Sequence, residues 1–196
     1  MTGREVSGES AAAARESAAV SKKNASVLSP EELMREALRL AEEAAREGEV
    51  PVGAVVARDG VILGRGRNRR EADRNALAHA ELEAIDQACR TLGGWRLFGC
   101  ELYVTLEPCP MCAGAIINAR LDRVVYGAAD PKAGSCGSVI DLFALPYNHH
   151  PLREGGLLRE ECAAQLTGFF RSLRAMRDKR RTGPERPDGE AALESK

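Results

Sequence analysis

The chain has 196 residues, 44% hydrophobic, 4% aromatic and 29% charged, which is enough apolar material for one domain with a real core and excludes a wholly disordered chain. No run approaches the ~18 consecutive apolar residues of a membrane span. With 28 basic against 29 acidic residues the formal charge is −1, so total charge announces no nucleic-acid partner, although a local basic stripe can act inside a neutral total.

Residues 1–27 are rich in Ala, Ser, Glu and Lys without apolar periodicity. They lack the apolar core of a secretory signal, and Glu5, Glu9 and Glu16 argue against a transit peptide. The segment reads as a disordered arm. A second tail is expected over 182–196, where Gly183, Pro184, Pro187 and Gly189 sit among charges. The folded domain is therefore expected over 28–181. Ser29-Pro30-Glu31-Glu32 has the capping-box spacing, and Leu33, Ala37, Leu40, Ala41 and Ala44 mark the apolar face of a helix that Gly48 ends. Val52–Ala57 and Val61–Gly64 read as strands of a hairpin turning on Asp59-Gly60. A helix follows from about Ala78 to Thr91, then a strand over Leu102–Leu106, a helix over Cys109–Asn118 and a strand over Arg123–Gly127. Residues 130–151 are loop-rich, with a short helix expected at Val139–Phe143, and a last amphipathic helix spans about Glu160–Lys179. A hairpin followed by strand–helix–strand units points to an α/β fold with a mixed sheet.

Six cysteines, two of them in Cys109-Pro110-Met111-Cys112, do not form a secreted disulfide pattern and suit the reducing cytosol, so a cytoplasmic location is expected. His79, His149 and His150 are the only histidines. His79-Ala80-Glu81 and Pro108-Cys109-Pro110-Met111-Cys112 each fall where the chain turns into a helix. A helix start lowers thiol pKa through its free N–H groups and macrodipole. Two thiolates with one imidazole suit Zn²⁺, and three protein ligands leave a fourth tetrahedral position open. Glu81, two residues from His79, is expected beside that open position as a proton carrier, not as a ligand. A Cys-x-x-Cys by itself also suits a redox pair or half of a structural zinc site. No second pair exists to close such a site, and neither alternative explains His79 with Glu81.

The His-x-Glu…Pro-Cys-x-x-Cys pattern is a known signature of zinc-dependent deaminases. With Pro51-Val52-Gly53-Ala54-Val55, Gly66-Arg67-Asn68, Leu102–Cys109, Met111–Ala115, Asn148-His149 and Phe169-Phe170-Arg171, the chain resembles the zinc-dependent nucleoside and nucleobase deaminases. More narrowly, it resembles the bacterial tRNA-specific adenosine deaminases, from about Leu33 to Arg174. The resemblance implies a three-layer α/β/α cytidine-deaminase-like fold with a mixed five-stranded sheet, a homodimer and one Zn²⁺ per subunit. It further implies hydrolysis of the wobble adenosine of a tRNA anticodon loop to inosine, by zinc-bound hydroxide attack at C6. His79, Cys109 and Cys112 would hold the metal and Glu81 would shuttle protons. Asn68 would bind the flipped base, Asn148 the anticodon loop, and Asp130 and Lys132 the RNA backbone and ribose. Where the family often has Asp-Pro-Thr before Ala-His-Ala-Glu, this chain has Asn75-Ala76-Leu77.

Arg171, Arg174, Arg177, Lys179, Arg180 and Arg181 suit phosphate contact or a solvated helix face. Phe169 and Phe170 are expected in core or dimer packing. Cys89, Cys100, Cys136 and Cys162 are expected as buried small hydrophobes, with Cys136 nearest the site, and His150 on the surface. The alternatives are a zinc deaminase of a free nucleobase such as guanine or cytosine, and a zinc-stabilised RNA-binding module without catalysis. A thiol oxidoreductase would leave His79 unexplained.

Overall fold

A computed structural model describes residues 27–182, so the arm expected over 1–27 and the tail over 182–196 lie outside the described residues apart from Val27 and Thr182. Helix α1 (Pro30–Arg46) opens on the expected capping box. The Ser29 amide donates to Glu32 Oε2 at 2.8 Å, and the Glu32 amide donates to Ser29 Oγ at 3.3 Å. Strands β1 (Gly53–Arg58) and β2 (Val61–Arg67) form an antiparallel hairpin, with Asp59 and Gly60 both at positive φ as its two-residue turn demands. Then come α2 (Ala80–Leu92), β3 (Glu101–Leu106), α3 (Pro110–Ala119), β4 (Arg123–Ala128), a single 3₁₀ turn at Leu142–Ala144, β5 (Leu152–Gly155) and α4 (Arg159–Thr182).

The sheet order is β2-β1-β3-β4-β5, antiparallel up to β3 and parallel across β3–β4 and β4–β5. Strand alternation splits the core in two. Ala54, Val56, Leu102, Val104 and Val124 pack with α2 and α3 on one face. Val55, Ala57, Tyr103 and Val125 pack with α1 and Cys162 of α4 on the other. This is the three-layer α/β/α architecture with a mixed five-stranded sheet. Each large apolar side chain buried in these layers contributes ~1.5–3 kcal/mol.

Several elements differ from the sequence reading. β2 runs past Gly64 to Arg67 because Leu63 forms a bulge: Val56 pairs with Gly64 and Ala57 with Ile62. The extra residue reverses the strand's phase and turns Gly64 and Gly66 toward α2. A Cβ on Gly66 would lie 2.1 Å from the Ala80 carbonyl oxygen, so its absence lets the first turn of α2 press against the sheet. β5 carries no apolar alternation and all four of its residues are exposed, so only pairing with β4 reveals it. The short helix expected at Val139–Phe143 is the 3₁₀ turn, shifted to Leu142–Ala144. Phe169 and Phe170 meet edge to face at 5.5 Å, but Phe170 is exposed and neither joins a core cluster. Cys100, Cys136 and Cys162 are buried as expected, whereas Cys89 is half-buried. Burial pushes all four thiols above their ordinary range. Among the described residues no helix is long and apolar enough to cross a membrane.

One polar tie joins α1 to the sheet. Glu36 accepts from Arg39 Nε and from Arg65 Nε, each at 2.8 Å. The Arg39 hydrogen bond, and after it that of Arg65, outweigh burial and hold the Glu36 carboxyl down to about 2, against an ordinary 4.5. A pKa lowered in the folded state adds stability above the unfolded value, and that stability is lost as pH falls through the folded one. Both guanidinium groups are about half exposed, so screening limits the contribution to ~1 kcal/mol. E36Q is therefore expected to be ~1 kcal/mol less stable than the wild type near pH 7. In urea titrations at stepped pH, that gap is expected to close between pH 4.5 and about 2. A gap that persists unchanged to pH 2 would contradict the assignment.

Candidate metal centre and active site

Two helix N-termini converge at the end of β3. His79 is the N-cap of α2 and Cys109 the N-cap of α3; both have extended backbone, and neither side chain caps its own helix. Pro110 takes the first helical position of α3, where a missing N–H leaves nothing unsatisfied. His79 thus lies just outside its helix while Glu81 lies within the first turn, so the two side chains are released from strict helical spacing. Cys109, Cys112 and His79 offer three ligand atoms that all lie within 4.8 Å of one another. His79 Nδ1 is 3.7 Å from Cys109 Sγ and 3.4 Å from Cys112 Sγ. Zn–S bonds of ~2.3 Å and Zn–N bonds of ~2.05 Å at tetrahedral angles separate sulfur from nitrogen by about 3.6 Å. The donor set and its spacing therefore fit zinc.

The electrostatics agree with a thiolate site. The hydrogen bond from Cys112, with help from His79 and against burial, brings the Cys109 thiol down to about 4. The same sulfur–sulfur hydrogen bond, together with burial, pushes Cys112 up. His79 is raised, chiefly by its hydrogen bond to Cys109. Glu81 is almost fully buried, and burial raises its carboxyl.

A cavity of about 210 Å³ opens on this group and is bounded by Asn68, Glu81 and Asp130 along with His79 and Cys109. Lys132 and Asn148 do not line it. Asp130 Oδ1 accepts from the amides of Lys132 and Ala133 at 2.9 and 3.3 Å, which bends the loop so that Lys132 points outward, exposed. Exposed Asn148 accepts from Arg120 Nη1 at 2.9 Å, and Arg120 is the C-cap of α3. Cys109 caps the opposite end of that helix. His149 Nε2–H donates to the Leu121 carbonyl at 2.6 Å. Leu77, in the segment that departs from the family pattern, is exposed and outside the cavity lining.

Two buried carboxylates beside the site escaped the sequence reading. Glu107 Oε1 accepts from the amides of Cys136 and Ser138 at 3.0 Å each. Its Oε2 accepts from the Asp130 amide at 3.1 Å and from the Ser138 hydroxyl. Burial acts to raise this carboxyl, but the hydrogen bonds from Ser138, Asp130 and Cys136 prevail and lower it. Glu107 so pins the 130–138 loop over the cavity, and Gly134 is required there because a Cβ would meet the carboxyl carbon at 2.4 Å. Glu49, 1% exposed, is the second. The available signal was a lone acid beside each apolar motif, Glu107 after Leu102–Leu106 and Glu49 before Val50-Pro51-Val52.

Residues 28–174 match the family model of MafB19-like deaminases. The tRNA-specific adenosine deaminase of Bacillus subtilis is 49% identical over 142 residues, covering 72% of this chain and 88% of that protein. The chain belongs to the tRNA-specific adenosine deaminase family. Its fold matches a solved tRNA:A34 deaminase, studied for A-to-I editing at the wobble position of transfer RNA. That match has a TM-score of 0.67 at 45% identity and covers 69% of this chain and 99% of that one. A guanine deaminase from Bacillus subtilis is more distant in both measures, with a TM-score of 0.50 at 32% identity over 76% of this chain and 93% of that one. This deaminase thus places His79 and Cys109 of its His/Cys/Cys group and the buried Glu81 on one cavity.

Proposed function

We propose that the chain is a zinc-dependent hydrolase that converts the wobble adenosine of a tRNA anticodon loop to inosine with release of ammonia. The observation that carries this reading is the grouping of His79, Cys109 and Cys112 beside a cavity that His79, Cys109 and Glu81 line, in a chain 49% identical to a tRNA-specific adenosine deaminase. His79 Nδ1 and the Cys109 and Cys112 sulfurs hold the metal. Zinc supplies Lewis-acid activation there, lowering the pKa of a water from 15.7 to about 7. Glu81 takes the proton of the attacking water and delivers it to the departing 6-amino nitrogen. Asn68 hydrogen-bonds the flipped base from the cavity wall. Asp130 and the outward Lys132 meet ribose and backbone at the rim. Asn148 contacts the anticodon loop at the surface.

The deaminase domain spans 28–181 between the arm and the tail, and the enzyme acts as a cytoplasmic homodimer with one zinc per subunit. Arg171, Arg174 and Arg177 are exposed on the outer half of α4, where they can meet phosphates.

The test incubates metal-replete protein with an anticodon stem-loop bearing wobble adenosine, and separately with free adenine, adenosine, guanine and cytosine. Nucleosides are then read by mass spectrometry. Inosine from the stem-loop alone is expected, with a rate that falls as salt rises. Product from a free base alone would overturn the substrate, and no product from zinc-loaded protein would overturn the enzyme.

A further inference from the structure

We infer that Glu49 is a positioning residue for deamination: it sets which atom of the Asn68 amide is offered to the base. The inference rests on the reading above, in which Asn68 binds the base.

Glu49 is anchored at both ends. Its amide donates to the Ala44 carbonyl at 3.0 Å in the turn that closes α1, just after Gly48 at φ +84°. Its side chain is buried, and both carboxylate oxygens are taken by the segment that follows β2. Oε1 accepts from the Ala72 amide at 2.7 Å, and Oε2 accepts from Asn68 Nδ2 at 3.2 Å. Asn68 is itself 6% exposed, and its backbone amide donates to the Val52 carbonyl at 2.9 Å. A backbone N–H can only donate and a carboxylate can only accept, so the Asn68 amide has one orientation, with nitrogen toward Glu49. Its Oδ1 accepts no hydrogen bond among the described residues and remains for a donor in the cavity that Asn68 lines. Turned the other way, the same amide would oppose its NH₂ group to that donor.

The geometry makes an isosteric change informative. In E49Q the Ala72 amide still requires an oxygen, so the new NH₂ group faces Asn68. Asn68 must then accept with Oδ1 and swing its own NH₂ toward the cavity. N68D in the E49Q background accepts from that NH₂ group and returns an oxygen to the cavity. N68D alone sets two carboxylates against each other.

The experiment measures kcat and KM on the wobble-adenosine stem-loop for wild type, E49Q, N68D and E49Q/N68D, with zinc content and thermal melting recorded for each. Loss of one buried hydrogen bond with a mismatched donor in its place lowers kcat/KM by about 10- to 100-fold. E49Q is expected to fall by that factor with zinc content intact, N68D to fall further, and the double variant to recover at least about 10-fold over E49Q. Wild-type kinetics in E49Q, or a loss in E49Q that N68D does not repair, would overturn the role of Glu49 while the deaminase reading stands. A wild type that makes no inosine from the stem-loop would overturn both.

Discussion

E81Q is expected to lower the rate of adenosine deamination by about 10²- to 10⁴-fold, the range for loss of a positioned general acid–base group. Glutamine preserves the shape and burial of Glu81 in the first turn of α2 but cannot carry a proton. The three donor atoms, from His79, Cys109 and Cys112, do not include Glu81, so zinc content is expected to stay near that of the wild type. RNA affinity is likewise expected to hold, because the exposed cations of α4 are untouched. Single-turnover kinetics on the stem-loop, metal analysis and a filter-binding isotherm on the same preparation separate the three quantities. Turnover within tenfold of the wild type would remove Glu81 from the proton path. Loss of zinc would make it a ligand instead.

Removing the metal is expected to abolish turnover and to lower the melting temperature by about 10 °C, and added zinc is expected to restore both. A ligand at 1,000 times its dissociation constant stabilises by ~4 kcal/mol, and 1 kcal/mol moves a domain of this size by ~2–4 °C. The apoprotein is expected to stay folded, because the two core clusters on either face of the sheet contain enough buried apolar surface without an ion. The local cost is expected where α2 meets α3, since the two sulfurs and the imidazole of the donor group lie together there. C112S is expected to reproduce the chelated state in metal content, activity and melting, and zinc cannot rescue it. A chelated sample holding under ~0.1 zinc per chain that kept wild-type turnover would sink the assignment of these three residues.

The residues that could be read without the fold are those whose partners lie within a turn or two of chain. The capping box of Ser29 and Glu32, the Asp59-Gly60 hairpin and the Cys109-x-x-Cys112 spacing are local, because each depends on hydrogen bonds or bond geometry spanning a few residues. The short apolar runs of β1, β3 and β4 were equally legible, because both faces of the sheet are covered. His79 with Glu81 was a local pattern as well, but its meeting with Cys109 thirty residues away was not. Gly64 and Gly66, rephased by the Leu63 bulge, let α2, which His79 caps, press against β2.

Glu49 and Glu107 show the limit most clearly. In sequence each is one acid among 29 acidic residues, and its place beside an apolar motif does not say what its carboxylate binds. What distinguishes them is which backbone and side-chain N–H groups the tertiary structure brings to a buried carboxylate. The same holds for Asn148, whose motif was visible but whose place at the far end of α3 was not. It holds too for β5, a polar strand that only its pairing with β4 defines. The sequence alone determined the donor types, their local spacing and the layered α/β class, because those follow from short-range geometry and hydrophobic period. The tertiary structure decided the spacing of the His/Cys/Cys donor atoms, the cavity and the buried carboxylates that hold its walls, because those depend on contacts between segments that chain order does not encode.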